Sequence, residues 1–392
     1  MRKYIEEVNG MDPYTLKQQI LAYAETIGID ELKVTTADPF IVMKQRLIRQ
    51  QEKGYASGFE EPDLEKRTNP ELLLEEAQSI IAIAIAYPSK LKDAPRSVAG
   101  ERRGLFARAS WGLDYHRAVG DRLAKLQAYI EELVPNVRTR SMVDTGELVD
   151  RAVAERAGIG FSGKNCSIIS PEKGSYLYLG EMILDVYLPP DEAIEDGCRD
   201  CDKCMTACPT TALVEPGVLD AKRCIAYLTQ MKTLMPREFR SKLGGRLYGC
   251  DTCQQVCPYN RKKDWRHHEE LLPEAEIVKP LLEPLLTLSN REFKQKFGHL
   301  SGAWRGKKPI QRNAILALAH YRELSAIPIL REFIKQDERE DMRATAVWAI
   351  GAILGPDADS IFEEIERNET SDMVHKEIRI YREEWAHEDR VV

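Results

Sequence analysis

Eight of the nine cysteines in this chain fall between residues 198 and 257, at spacings suited to iron–sulfur chemistry. The run Cys198-x2-Cys201-x2-Cys204-x3-Cys208-Pro209 has the pattern of a bacterial two-cluster ferredoxin. Its first three thiolates reach three corners of one [4Fe–4S] cube, and the Cys-Pro turn carries the fourth to the other cube. A second run must return a ligand. Cys250-x2-Cys253-x3-Cys257-Pro258 supplies its last three positions, and the missing first position falls on Leu247, which cannot ligate iron. Cys224 is the spare cysteine of the region. One cluster is therefore assigned to Cys198, Cys201, Cys204 and Cys257, and the other to Cys208, Cys224, Cys250 and Cys253. Two zinc sites would use the Cys-x2-Cys pairs but give no reason for the two Cys-Pro endings. A disulfide framework does not suit a chain that shows no export signal. Cys166 stands apart and reads as a small buried hydrophobe in a strand. Clusters with crossed ligands form an electron wire, so an acceptor is expected elsewhere in the chain.

Two further stretches carry polar groups at chemically suggestive places. Gly158-Ile-Gly160-Phe-Ser-Gly163-Lys164 matches a dinucleotide fingerprint and nearly matches a phosphate loop. Both motifs need a strand before and a helix after, and the order here is reversed. The glycines are left to serve a tight turn with a close approach, against which a bulky ligand could lie. Upstream, Asp144 in Val143-Asp-Thr-Gly146 sits at a strand-to-helix junction. It reads either as the N-cap of a helix over 147–157 or as a general acid whose pKa is raised by burial.

The elements that must position these groups form an α+β multidomain chain. Helical spacing over 14–28 stops at Gly28, and Ser79–Tyr87 is a continuous apolar run read as a buried strand. A long amphipathic helix over 116–133, a strand over 137–143, and two strands (166–170 and 175–188) complete a mixed α/β domain, 1–188. Pro189-Pro190 and an acidic stretch open the cysteine module, a bacterial ferredoxin-like two-cluster domain at 189–264. A connector, 265–308, leads to helical residues 309–392. There Ala314–Ala319 and Ala346–Gly351 repeat at a spacing of 32, the pattern of HEAT-like hairpins.

The chain resembles the epoxyqueuosine reductases, cobalamin-dependent enzymes that complete queuosine in tRNA. The resemblance rests on Tyr55-Ala-Ser-Gly-Phe with Arg67, the segment from Glu101 to His116, Val143 through Asn165, both cysteine runs, and Gly298 through Asn313. It covers nearly the whole chain. It implies that domain 1–188 binds a corrinoid, as in the reductive dehalogenases, and that the two clusters feed electrons to its cobalt. The cobalt would attack the epoxide while Asp144 donates the proton, which tips the choice between cap and acid toward the acid. The resemblance also places Arg67, Arg151, Lys164 and Asn165 beside the corrinoid or substrate. Where some relatives carry Cys, this chain has Ala107, so no thiolate–cobalt contact is expected there.

A tRNA partner sits oddly with a net charge of −7, which alone argues against nucleic acid. The charge is unevenly distributed. Ser289–Arg322 holds eight Lys/Arg and one acid, so this stretch is +7 and the rest of the chain −14. Trp304, Arg305, Lys307, Lys308 and Arg312 are the candidate tRNA contacts. The alternative is a corrinoid- or flavin-linked iron–sulfur reductase of a small organic substrate, which needs neither basic patch nor repeat. A bare electron carrier would not need residues 1–188. With no apolar run near the ~20 residues that span a bilayer, the expectation is a cytoplasmic monomer served by an external electron donor.

Overall fold

The computed structural model describes residues 10–388. Two units emerge, each assembled from separate stretches of chain. The first comprises residues up to Lys90, Gly112–Cys224 and Asp251–Leu272; the second comprises Leu91–Trp111, Ile225–Cys250 and the chain from Pro273 onward.

The first unit opens with α1 (Pro13–Thr26), β1 (Glu31–Thr36), α2 (Ile41–Glu52) and β2 (Ser79–Ala86). It continues with α3 (Tyr115–Leu133), β3 (Thr139–Met142), α4 (Asp150–Ala157) and β4 (Leu177–Leu184). The strands form one antiparallel sheet in the order β1-β2-β4-β3. All eight residues of β2 are buried, because this inner strand is covered on both faces. Helix α3 packs on one face, where Val119 and Leu123 lie so close to Gly180 that a Cβ there would meet them at 2.6 and 3.2 Å. Helix α4 packs on the other face in an apolar cluster with Ile80, Ala82, Ala84 and Ile183. The apolar run at 79–87 is thus the strand expected, while the pair expected at 166–170 and 175–188 shrinks to Ile168–Ile169 and β4. These two are joined through a Ser170–Gly174 bridge.

Local sequence sets where the helices begin. Asp12 caps α1 by accepting the N–H groups of Tyr14 and Thr15, and Asp114 caps α3 through His116 N–H. Helix α4 starts later than the expected 147: its N-cap is Val149, with no side-chain cap bond. Asp144 is therefore not a helix cap. Gly158 ends α4 at φ +84°, and a Cβ there would lie 2.1 Å from the Glu192 carbonyl oxygen.

In the second unit, α5 (Asn290–Phe297), α6 (Lys307–His320), α7 (Ile327–Gln336), α8 (Glu340–Leu354), α9 (Asp359–Glu366) and α10 (Asp372–Glu388) follow in succession. The 32-residue repeat falls on α6 and α8, the inner helices of two successive hairpins. Both are buried along most of their length because each is covered on several sides. Their core is continuous with Phe106, Leu247, Phe293 and Phe297.

Candidate active site and cluster ligands

Asp144 lies just past β3, in a loop that the N-termini of α3 and α4 approach from opposite faces of the sheet. It is exposed and holds the left-handed φ of +51°, which its short polar side chain tolerates. Its Oδ2 accepts the Tyr115 hydroxyl at 2.5 Å and lies 3.5 Å from His116 Nε2. His116 Nδ1 in turn sits 2.8 Å from Asp114 Oδ1. Tyr115 stacks on His116 at 4.2 Å and on Tyr178 at 4.9 Å, so ring packing sets the position of its hydroxyl. A cavity of about 490 Å³ opens beside this group, lined in part by His116, Met142, Val143 and Glu147.

The electrostatics reverse one expectation. Burial was expected to raise the Asp144 pKa, whereas the neighbouring His116 imidazole, aided by the Tyr115 hydroxyl, holds it below the usual carboxylate range. The imidazole draws the proton instead: hydrogen-bonded to Asp114 and ion-paired with Asp144 at 3.5 Å, His116 is raised to about 9. Two further acids lie behind the loop. Asp150, in the first turn of α4, accepts the Asp144 N–H at 2.8 Å. Glu181 on β4 is 1 % exposed, hydrogen-bonded to Asp150, and pushed well above the ordinary range by burial. Tyr115, His116, Asp150 and Glu181 carried no assigned role in the sequence reading. Glu181 alone left a signal, a carboxylate inside the apolar strand Leu-Tyr-Leu-Gly-Glu-Met-Ile-Leu.

The four residues placed by resemblance beside a corrinoid have distinct surroundings. Arg151 donates to the Cys166 carbonyl and Lys164 to the Arg199 carbonyl. Arg67 lies half-buried past the Asp63 turn, its pKa lowered by desolvation. Asn165 is buried, and its Nδ2 has no hydrogen-bond partner. The glycine turn before it is pressed against its own chain: a Cβ on Gly160 would meet the Ile169 carbonyl at 2.6 Å, and one on Gly163 the Ile169 side chain at 2.5 Å. Those approaches account for both glycines without a ligand.

Within the first unit, the Cys198 thiol interacts electrostatically with Cys257 and Cys204, and Cys201 with both Cys204 and Cys257. This is the four-residue set that the spacing assigned to one cluster. Two backbone donors point at sulfurs of the candidate ligands: Lys164 N–H at 3.5 Å from Cys198 Sγ and Ala212 N–H at 3.3 Å from Cys208 Sγ. Such N–H···S bonds favour the more negative, reduced state of a cluster. All nine cysteines are of intermediate exposure. The position of the missing ligand, Leu247, is fully buried, and a Cβ on Gly104 would meet its side chain at 2.4 Å.

Residues 197–260 match the model of a 4Fe-4S double cluster binding domain, and 305–380 match HEAT repeats. Residues 67–145 match the model described as epoxyqueuosine reductase QueG, DUF1730. An epoxyqueuosine reductase of Bacillus cereus is 60% identical over 93% of this chain and 97% of its own length. The chain belongs to the epoxyqueuosine reductase family. Its members are oxidoreductases, and the Bacillus subtilis member is 59% identical over 91% of this chain and 92% of its own. A crystal structure of epoxyqueuosine reductase with an epoxyqueuosine-modified tRNA-Tyr stem loop superposes at TM-score 0.92. It is 57% identical, covering 95% of this chain and 99% of that one. Another, from Bacillus subtilis, has an aspartate-bearing catalytic loop swung out of the active site. It superposes at 0.91 with 56% identity, covering 93% of this chain and 98% of that one.

The candidate tRNA contacts divide. The Trp304 ring is 55% exposed, its indole N–H bonded to Gln230 Oε1, with the Arg305 guanidinium 4.8 Å from the ring centre. Lys307 donates to the Leu288 carbonyl and Lys308 pairs with Asp341, both half-buried. Arg312 is a correction. It is 2% exposed, and its guanidinium donates to the carbonyls of Leu228, Met231 and Thr233. With two further bonds to Asn313 Oδ1, all five of its N–H donors are engaged inside the protein and none is left for phosphate. Among the described residues, no helix is long and apolar enough to cross a membrane.

Proposed function

We propose that this protein reduces epoxyqueuosine to queuosine at the wobble position of tRNA, with two [4Fe–4S] clusters and a corrinoid as its redox groups. The observation that carries the reading is the Asp144 carboxylate, held between the Tyr115 hydroxyl and the His116 imidazolium beside a cavity. Deoxygenating an epoxide to an alkene takes two electrons and two protons and releases the oxygen as water, and this group of side chains holds one of those protons ready.

When bound, the clusters and a reduced corrinoid cobalt supply electrons to the epoxide carbon. The residues fit such a group at one point in particular. A corrinoid is rimmed by amide side chains, whose carbonyls suit the unpartnered Asn165 Nδ2. Arg67 would lie near the same rim. The proton is stored on His116 and relayed through Asp144: the imidazolium passes it across the 3.5 Å gap to Asp144 Oδ2, and the opened epoxide oxygen takes it from there. Asp114 stabilises the imidazolium during that transfer. The swung-out loop in the Bacillus subtilis relative supports a loop that delivers its aspartate only when seated.

On the second unit, Trp304 would stack on an unpaired base while Arg305, Lys307 and Lys308 meet phosphates. The protein would act as a cytoplasmic monomer, drawing electrons from an external donor.

The experiment is single turnover on an epoxyqueuosine-bearing stem loop, followed by mass loss of one oxygen. Asp144→Asn should retain clusters and corrinoid and lose about 10²–10⁴-fold in rate. An unchanged rate would remove Asp144 from the chemistry. Failure of the wild-type protein on RNA, with reduction of a small epoxide intact, would turn the reading to a small-molecule reductase.

A further inference from the structure

Asp144 holds a left-handed backbone conformation in an exposed loop, so something must keep it seated. Its side chain is engaged by Tyr115 and His116, the partners its chemistry requires. Its backbone has a separate anchor: the Asp144 N–H donates to Asp150 Oδ2 at 2.8 Å. Asp150 opens α4, a helix fixed against the sheet by Ala152, Val153 and Ala157, all buried. Behind Asp150 lies Glu181, whose β4 position pairs in register with Met142, the last residue of the strand that launches the loop.

The sheet therefore carries a buried carboxyl directly beneath the loop it projects. Burying a carboxyl in an otherwise apolar strand is costly and needs a partner. Here the partner is a second carboxyl, and two such groups in contact retain a proton between them.

We propose that Asp150 is the positioning residue for Asp144, clamping the backbone of the loop by its N–H while a proton shared with Glu181 holds the clamp in place. This rests on Asp144 being the proton donor, and it adds what fixes that donor over the substrate. Burial, with the negative charge of Asp144 nearby, raises Asp150 to about 6, and burial together with Asp150 pushes Glu181 well above the ordinary carboxylate range. The groups facing the pair are Asp144 and, on the Asp150 side, the Arg67 guanidinium. Ionising both acids would set three carboxylates together, so the proton stays at neutral pH.

The test is amide hydrogen exchange at Asp144 in the holoenzyme, read with turnover and infrared spectra. Asp150→Ala removes the acceptor. Exchange at the Asp144 amide should rise about tenfold or more while Val153 in α4 stays protected. In the same variant kcat should fall with KM for the stem loop and corrinoid content unchanged. Asp150→Asn keeps an acceptor oxygen and should restore both. Glu181→Gln should abolish the infrared carbonyl band of a protonated buried carboxyl seen in the wild type at pH 7. Unchanged Asp144 exchange in Asp150→Ala, or no such band in the wild type, would overturn the proposal. The parent reading fails separately: Asp144→Asn keeps its N–H and its protection, so full turnover in that variant would indict the donor and not the clamp.

Discussion

His116 sits between two carboxylates, 2.8 Å from Asp114 and 3.5 Å from Asp144, and therefore keeps its proton to about pH 9. Asp144 is shifted the opposite way, below its ordinary value of 3.8. The stability contributed by His116 is complete below its ordinary 6.5 and is lost as pH rises through about 9. That from Asp144 is complete above 3.8 and lost as pH falls through its depressed value. Turnover should accordingly show an alkaline limb near 9. His116→Gln should remove that limb and slow turnover about 10–100-fold, as a pH–rate profile would show.

Cys224 is the one proposed ligand taken from outside the two cysteine runs. Cys224→Ser should lower iron from about eight to about four per chain, with the cluster of Cys198, Cys201, Cys204 and Cys257 retained. Iron and sulfide analysis of anaerobic protein measures this. Iron unchanged at about eight would return the missing ligand to another residue.

Arg312 and Lys308, four positions apart on α6, should behave differently. Arg312→Leu leaves the Leu228, Met231 and Thr233 carbonyls without their donor in the interior, costing about 3 kcal/mol or more of stability. Chemical denaturation checks it. The folded fraction of the variant should bind RNA with an unchanged salt dependence.

Neutralising the half-buried lysines of the same helix, Lys307→Gln with Lys308→Gln, should instead weaken stem-loop binding. The slope of log affinity against log salt should become shallower by about 1–2. Equal slopes for both proteins would place the RNA on another face.

The sequence by itself determined the iron chemistry, since cluster ligands are set by short turns whose spacing is printed in the chain. Cys198, Cys201 and Cys204 lie within seven residues, and the Cys-Pro turns that exchange ligands are equally local. The inner strand at 79–86 and the repeat carried by α6 and α8 were legible for the same reason, because apolar period and run length are local properties. Burial of individual charges is not local. Arg312 and Lys308 are both basic residues in one stretch, and only packing decided that one would reach interior carbonyls and the other Asp341. The state of Asp144 was likewise decided in three dimensions. Its pKa depends on Tyr115 and His116, brought from another helix, and its backbone is held by Asp150, with Glu181 behind it on β4. Spacing can specify ligands that bind one compact cluster, whereas a proton's position depends on the sum of charges and solvent around it. That sum exists only once the sheet has brought α3, α4 and β4 to the end of β3.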